Sequence, residues 1–261
     1  MNIVTPKVTL LAHTTLANTP EGSTAAEEWM GLDLDATDAE NLIEFAGRAC
    51  YQSFSKPNPK TAKNADYLAR TLFEQAHWSI AEHATATLYV TGVSRALTHE
   101  LIRHRHLSYS QLSQRFVNEE DANIVIPPAI REASGGIVYL QEGTYPNIED
   151  SPSMAVEWWS QDAFYHYSKL VEHLQYEDGL SRKQAREAAR SVLPNATETR
   201  IVVTGNHRAW TEVILRRIAP DADAEIQEFS RLALEALRPT APTIYAKVDE
   251  IIAGQKDLTT P

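Results

Sequence analysis

The thirteen residues from Arg103 to Arg115 read RHRHLSYSQLSQR, and no acidic side chain falls between Glu100 and Glu119. Three arginines and two histidines this close together repel one another unless an anion lies among them. A fold containing this segment must therefore either wrap it around a ligand or leave it in water. Solvated faces usually intersperse both signs of charge, which this stretch does not do. Arginine offers a planar fork of donors matched to phosphate and carboxylate oxygens, and the intervening serine hydroxyls and glutamine amides can complete such a shell. The segment points to an anion site, with a solvated basic loop as the alternative.

The chain as a whole is acidic. Its formal net charge of -11 over 261 residues argues against a protein that coats nucleic acid, because non-specific duplex binding needs a broad basic surface. Local basic pockets for small anions remain compatible with that balance. The length suits one large domain or two small ones, with ample core, and a single domain over residues 1–261 is expected. Apolar residues make up 43% and charged residues 23%, as in ordinary soluble proteins. No apolar run reaches the length of a membrane span, and MNIVTPKVTLLAHTT lacks the charged lead and long apolar stretch of an export signal. Cys50 is the one cysteine. That removes an intramolecular disulfide and a cysteine-rich zinc site, and it fits a reducing, cytoplasmic setting.

Strands and helices alternate along the chain. Val8 to Leu16 predicts a strand, and Thr37 or Asp38 caps a helix to about Ala49. A loop at Lys56 to Lys60 precedes a helix from Asn64 to near His77. The β-branched run Ala84 to Val93 predicts a strand, after which Ser94 caps a helix that would carry Arg95, His99 and Arg103 on one face. A loop from Asn118 leads to an IVIPP edge, and Gly135 to Asp150 is turn-rich. A long aromatic helix is expected from Met154 to Tyr176, and Ser181 caps another that Pro194 stops. There Arg182, Arg186 and Arg190 stack at intervals of four, so something acidic should face them. A strand at Thr199 to Thr204 turns through Gly205 and Asn206 into a helix from His207 to Ile218, and two more helices, Ala224 to Leu237 and Ile244 to Ile252, close the chain. Arg217 falls on the stripe of Trp210, Val213 and Ile214. An arginine there needs a partner, supplied by an internal salt bridge or by an external anion. The element order predicts a mixed α/β or α+β domain.

Several chemistries are disfavoured by residue type. Neither a G-x-x-x-x-G-K-[ST] phosphate loop nor a G-x-G-x-x-G fingerprint occurs, so a nucleotide would be held by side chains and helix ends. No metal site is expected: His99, His104 and His106 lie among arginines that repel a divalent cation, and HWSIAEH lacks the H-E-x-x-H order. Cys50 sits in an apolar helical stretch and is expected to be a small buried hydrophobe rather than a nucleophile.

RHR, seven residues and then Ser113, with a further arginine at Arg115, resembles the signature of the flavin-dependent thymidylate synthases. HWSIAEH, ARSVLPNATETR, GNHRAW and Arg217 follow in the order of that family, from about Tyr51 to Ile218. The resemblance implies a compact α/β unit assembled as a homotetramer with active sites shared between subunits. It also implies reductive methylation of dUMP to dTMP, with methylenetetrahydrofolate as one-carbon donor and NADPH as reductant through FAD. By the same resemblance, Ser79, Arg103, His104, Arg105, Gln111, Asn206, His207 and Arg208 would contact FAD, the last three helped by the positive end of a helix. Glu100, Leu101, Ile102, Arg103, Gln111, Leu112, Ser113, Gln114, Arg115 and Arg190 would line the dUMP pocket. Arg217 would stabilise charge on the uracil, and His77 would form a wall for folate or nicotinamide. Phe116, Ser110 and Glu212 depart from the commonest family pattern. Glu212 would be repelled by an anionic cofactor unless Arg208 or Arg216 pairs with it. The competing readings are a nucleotide-binding protein without turnover and, against the net charge, a single-strand nucleic-acid binder.

Overall fold

The computed structural model describes residues 1–17, 33–131 and 151–259, and the turn-rich stretch at Gly135 to Asp150 lies outside them. In chain order the elements are β1 (Ile3–Val4), β2 (Lys7–His13), α1 (Asp38–Tyr51), α2 (Asn64–Leu68), β3 (Thr85–Ser94), α3 (Arg95–Leu101), β4 (Ser108–Gln111), β5 (Ile124–Val125) and α4 (Pro128–Arg131). They continue as α5 (Pro152–Tyr176), α6 (Arg182–Ala189), β6 (Glu198–Asn206), α7 (His207–Arg217), α8 (Ala224–Leu237) and α9 (Pro242–Thr259). The main sheet has the order β2-β3-β6-β4 with every neighbouring pair antiparallel. A separate two-residue parallel pair joins β1 to β5. Mixed α and β structure is as expected, and the antiparallel ladder places it in the α+β branch.

Strand alternation sets the core. Ala86, Leu88 and Val90 of β3 and Ile201 and Val203 of β6 are buried on one face, as a half-covered antiparallel sheet requires. Against them pack Trp210, Val213 and Ile214 of α7, Phe229 and Leu234 of α8, and Tyr245 and Val248 of α9. Each such side chain contributes roughly 1.5–3 kcal/mol by leaving water. Trp210 also satisfies its indole N–H, which donates to the Ala86 carbonyl at 3.1 Å.

The caps predicted at Thr37, Ser94 and Ser181 are present, and Asn206, expected only to lie in the turn, is a fourth. Thr37, Ser94, Ser181 and Asn206 each accept a backbone N–H in the first turn of their helix, a contact worth about 1 kcal/mol. Two of them, Ser94 and Asn206, are also the last residues of their strands. Ser94 pairs with Glu198 and Thr85 with Asn206, so α3 and α7 start at opposite ends of the β3–β6 ladder.

Three readings are corrected. Helix α3 stops at Leu101, so Arg103 lies in the turn beyond it and shares no helical face with Arg95 and His99. The basic segment, for which a solvated loop is the alternative reading, contains β4, which pairs with β6 from Ser108–Thr204 to Gln111–Ile201. Cys50 is exposed rather than buried, because the last turn of α1 leaves the core.

One glycine is required by the sheet. The β3–β6 register shifts between Val90 and Val93, and Gly92 adopts φ +68° there, with its Cβ position 2.0 Å from the Thr5 carbonyl oxygen. Gly92→Ala should cost about 2 kcal/mol or more, since a left-handed conformation alone costs an alanine roughly 1–2 kcal/mol. Calorimetry is expected to show a melting temperature lower by about 4–8 °C. An unchanged melting point would mean that the bulge is not fixed by this residue.

Candidate active site

The last turns of α3 and α7 meet at Arg217. Its Nη1 donates to Glu100 Oε2 at 2.8 Å, its Nη2 to the Glu100 carbonyl at 3.4 Å, and its Nε to His104 Nε2 at 2.9 Å. Arg217 lies on the Trp210–Ile214 face as predicted, and its side chain keeps only 16% of its exposure. Of the two partners considered for it, the chain itself supplies the internal one, Glu100. The turn carrying Arg103, His104 and Arg105 is tied down by Tyr109, whose hydroxyl donates to the carbonyls of Leu101 (2.6 Å) and His104 (2.8 Å). Burial pushes the Tyr109 phenol up to about 12. Burial, reinforced by Arg217 and Arg216, also holds His104 below the ordinary histidine value.

The segment from Gln111 to Arg115 follows the edge of β6. Gln111 donates to Thr98 Oγ1 at 3.1 Å and Thr199 Oγ1 at 3.2 Å, and the Leu112 N–H donates to the Arg200 carbonyl at 2.8 Å. Arg95 folds beneath this stretch and donates to the Leu112 carbonyl at 3.3 Å. The Ser113 hydroxyl accepts from the Arg115 N–H at 3.4 Å. Arg115 Nε approaches Glu187 Oε2 to 3.0 Å. Gln114 and Leu101 are buried, while Ile102 and Arg103 are exposed.

A groove runs beside these elements as three adjoining cavities. One, of about 440 Å³, is lined by Cys50, His77, Trp78, Ser79 and Arg208. A second, of about 180 Å³, is bounded by Glu82, His106, Asn206, Arg208 and Glu212. The third, of about 210 Å³, is walled by Arg103, His104, Arg105, His106, Glu212 and Arg216. Arg208 is shared by the first two, and His106 and Glu212 by the last two, so the walls are continuous. Two carboxylates that would oppose an anion here are both neutralised: Glu212 accepts from Arg216 at 3.2 Å and Glu82 from Arg208. The elongated, guanidinium-lined shape suits a dinucleotide with a central pyrophosphate.

A family model described as thymidylate synthase complementing protein matches residues 34–243. The flavin-dependent thymidylate synthase of Mycobacteroides abscessus is 47% identical over 253 residues, covering 95% of this chain and 91% of that protein. This chain belongs to the flavin-dependent thymidylate synthase family. The enzyme of that name from Mycobacterium tuberculosis (strain ATCC 25177 / H37Ra) is 47% identical over 238 residues, covering 87% of each chain. Among solved structures, thymidylate synthase X of Helicobacter pylori with FAD and dUMP aligns with a TM-score of 0.59 at 18% identity. That alignment covers 93% of this chain and 98% of the other, and it shows the shared fold.

Not every position suggested by likeness to the flavin-dependent thymidylate synthases faces the groove. His207 is fully buried: its Nδ1 meets the Tyr245 hydroxyl at 2.8 Å, its backbone N–H donates to the Ala84 carbonyl, and burial takes its pKa down to about 4. The Asn206 amide oxygen is occupied as the cap of α7. Of that trio, Arg208 carries the exposed side chain. Among the described residues no carboxylate lies within ion-pair distance of Arg182, Arg186 or Arg190, although one was expected. Arg186 donates instead to the Phe116 carbonyl at 2.6 Å, and Arg190 is exposed in a 3-10 turn after α6.

Sequence reasoning gave Tyr109 and Glu119 no role and placed Arg95 only on a basic helix face. The signal for Tyr109 was the alternation S-Y-S-Q, which marks a strand inside the basic run. Glu119 had no local signal, because its environment is assembled from distant segments. It is 2% exposed, with one carboxylate oxygen unpartnered. Burial pushes its carboxyl up to about 7 from 4.5, opposed by the Arg95 charge. A raised folded-state pKa stabilises the fold fully below about pH 4.5, and that contribution is lost as pH rises to about 7. Glu119→Gln cannot ionise. Its stability relative to the natural chain should therefore grow between about pH 5 and about pH 8, by an amount on the order of 3 kcal/mol. Thermal melts whose difference stays constant over that range would refute the assignment.

Proposed function

We propose that the protein methylates dUMP reductively to dTMP, using methylenetetrahydrofolate and NADPH with FAD as its cofactor. The observation that carries this reading is the hydrogen-bonded trio of Arg217, Glu100 and His104, the last of which lines a groove with Arg103, Arg105 and Arg216, in a chain 47% identical to flavin-dependent thymidylate synthases. Ser79, Arg103, His104, Arg105, Gln111, Asn206 and Arg208 would hold the flavin dinucleotide, while His207 would anchor the start of α7 from the core. Bound FAD would relay the reducing equivalents of NADPH.

Glu100, Arg103, Arg190 and the stretch Gln111, Leu112, Ser113, Gln114 and Arg115 would bind dUMP. Leu101 and Ile102 would contribute through their backbone. Guanidinium groups suit the phosphate, and amide and hydroxyl groups suit the uracil edge. Arg217 would face the uracil, stabilising the anion formed when N3 loses its proton and so making the ring the nucleophile. Its position at the end of a rigid helix means that no reorganisation is needed as the charge develops. His77 would form a wall against which folate or nicotinamide approaches.

A homotetramer with shared sites is supported by two features. Trp159, Tyr165 and Tyr176 of α5 and Phe116 are exposed large apolar side chains, which a subunit interface would cover. Arg190, lacking a carboxylate partner among the described residues, would serve the site of a neighbouring subunit. No helix among the described residues is long and apolar enough to cross a membrane, in keeping with action on small soluble substrates in the cytoplasm.

Purified protein should be yellow and should form dTMP only when FAD, NADPH, methylenetetrahydrofolate and dUMP are all present under low oxygen, with product followed by chromatography. NADPH oxidation without dTMP would overturn the reading. Arg217→Ala should lower kcat by roughly 10²–10³-fold, the usual cost of deleting one donor that stabilises developing charge. A kcat within a few-fold of the natural enzyme would remove Arg217 from the chemistry.

A further inference from the structure

We infer that Arg217, besides the direct role proposed for it, positions His104, holding it as a neutral imidazole with its proton on Nδ1. The inference stands on the contacts of the chain and does not depend on the proposed activity. Arg217 Nε lies 2.9 Å from His104 Nε2. Arginine has donors only and stays protonated throughout the working range. The nitrogen it meets must therefore present a lone pair. A neutral imidazole carries a single ring proton, so that proton sits on Nδ1, the hydrogen bond at one nitrogen deciding the state of the other.

Both partners are anchored. Arg217 is clamped by both the carboxylate and the carbonyl of Glu100, at 2.8 and 3.4 Å. His104 is held through its backbone, its N–H donating to the Leu101 carbonyl at 3.1 Å and its own carbonyl accepting the Tyr109 hydroxyl at 2.8 Å. The charges around the ring favour the same state. Arg217 and Arg216 of α7 and Arg103 of its own turn oppose a second proton, as does burial. Glu212 of α7 works the other way but is paired with Arg216 at 3.2 Å. Glu100 of α3 is neutralised by Arg217 itself.

The consequence lies in the groove that His104 lines with Arg103, Arg105 and His106. Its ligand meets the guanidinium groups of Arg103 and Arg105 with the uncharged N–H donor of His104 set beside them. Such a donor can serve an electron-rich oxygen or nitrogen without adding a charge that changes between pH 6 and 7, near histidine's ordinary pKa of about 6.5.

The test is a set of solid-state 15N spectra of the full chain labelled with 15N-histidine, with the His104 signals identified by their loss in His104→Gln. At about pH 6.5, where an ordinary histidine is half charged, Nε2 should appear as an unprotonated nitrogen and Nδ1 as a protonated one. Arg217→Met should shift His104 toward the Nε2–H tautomer and move its titration upward. A His104 ring in the natural chain that is charged, or that carries its proton on Nε2, would overturn the inference. So would an unchanged Nδ1–H tautomer in Arg217→Met. Should that variant fail to fold, the spectrum of the natural chain still decides whether the tautomer is as inferred, and Arg217→Gln replaces it for the cause.

Discussion

The antiparallel pairing of β3 with β6 is the constraint on which the rest of the site depends. Each strand passes without a loop into a helix, and the caps Ser94 and Asn206 lie at opposite ends of the ladder. The two helices consequently start far apart, and their last turns come together at Arg217 and Glu100. Residues 117 positions apart in the chain become hydrogen-bonded through this register alone. A slip of one residue would move one helix by about 3.3 Å relative to the other and turn every inward side chain outward.

Buried carboxylates hold that register. Glu198 accepts from the Gly92 N–H at 3.0 Å and from the Asn123 amide at 2.8 Å, pinning the bulge and the loop that precedes β5. Glu225 of α8 accepts from both the backbone and the hydroxyl of Ser94, at 2.7 and 2.6 Å, so the residue that caps α3 is itself fastened from below. Burial raises the Glu225 carboxyl above its ordinary value while the Ser94 donors pull the other way. Such groups are costly to leave unpaired, and here each secures a junction between a strand and its neighbours.

Legibility from sequence followed the range of the interactions concerned. Caps are local, and Thr37, Ser94 and Ser181 were readable from residue type and position. The inward placement of Arg217 was readable as well, because helical periodicity alone puts it with Trp210 and Ile214. The family resemblance, spread over several motifs, was also plain. What escaped depends on contacts across the fold. Strand β4 is only four residues long and lies inside the basic run, and it exists because β6 offers an edge. His207 looks like a site residue in sequence, yet the tight turn from β6 into α7 aims it at Tyr245. Cys50 was misjudged because an apolar helical neighbourhood does not say which face of the last turn is covered.

The position of Cys50 also gives the molecule a single chemical handle. It is the one thiol in the sequence and it is exposed, on the wall of the cavity shared by Ser79 and Arg208. A thiol-reactive dye therefore attaches at one known place without engineering, where its fluorescence will register whatever enters that cavity. The same exposure makes handling under oxidising conditions a route to cross-linked chains, with every bridge running between molecules and none within one.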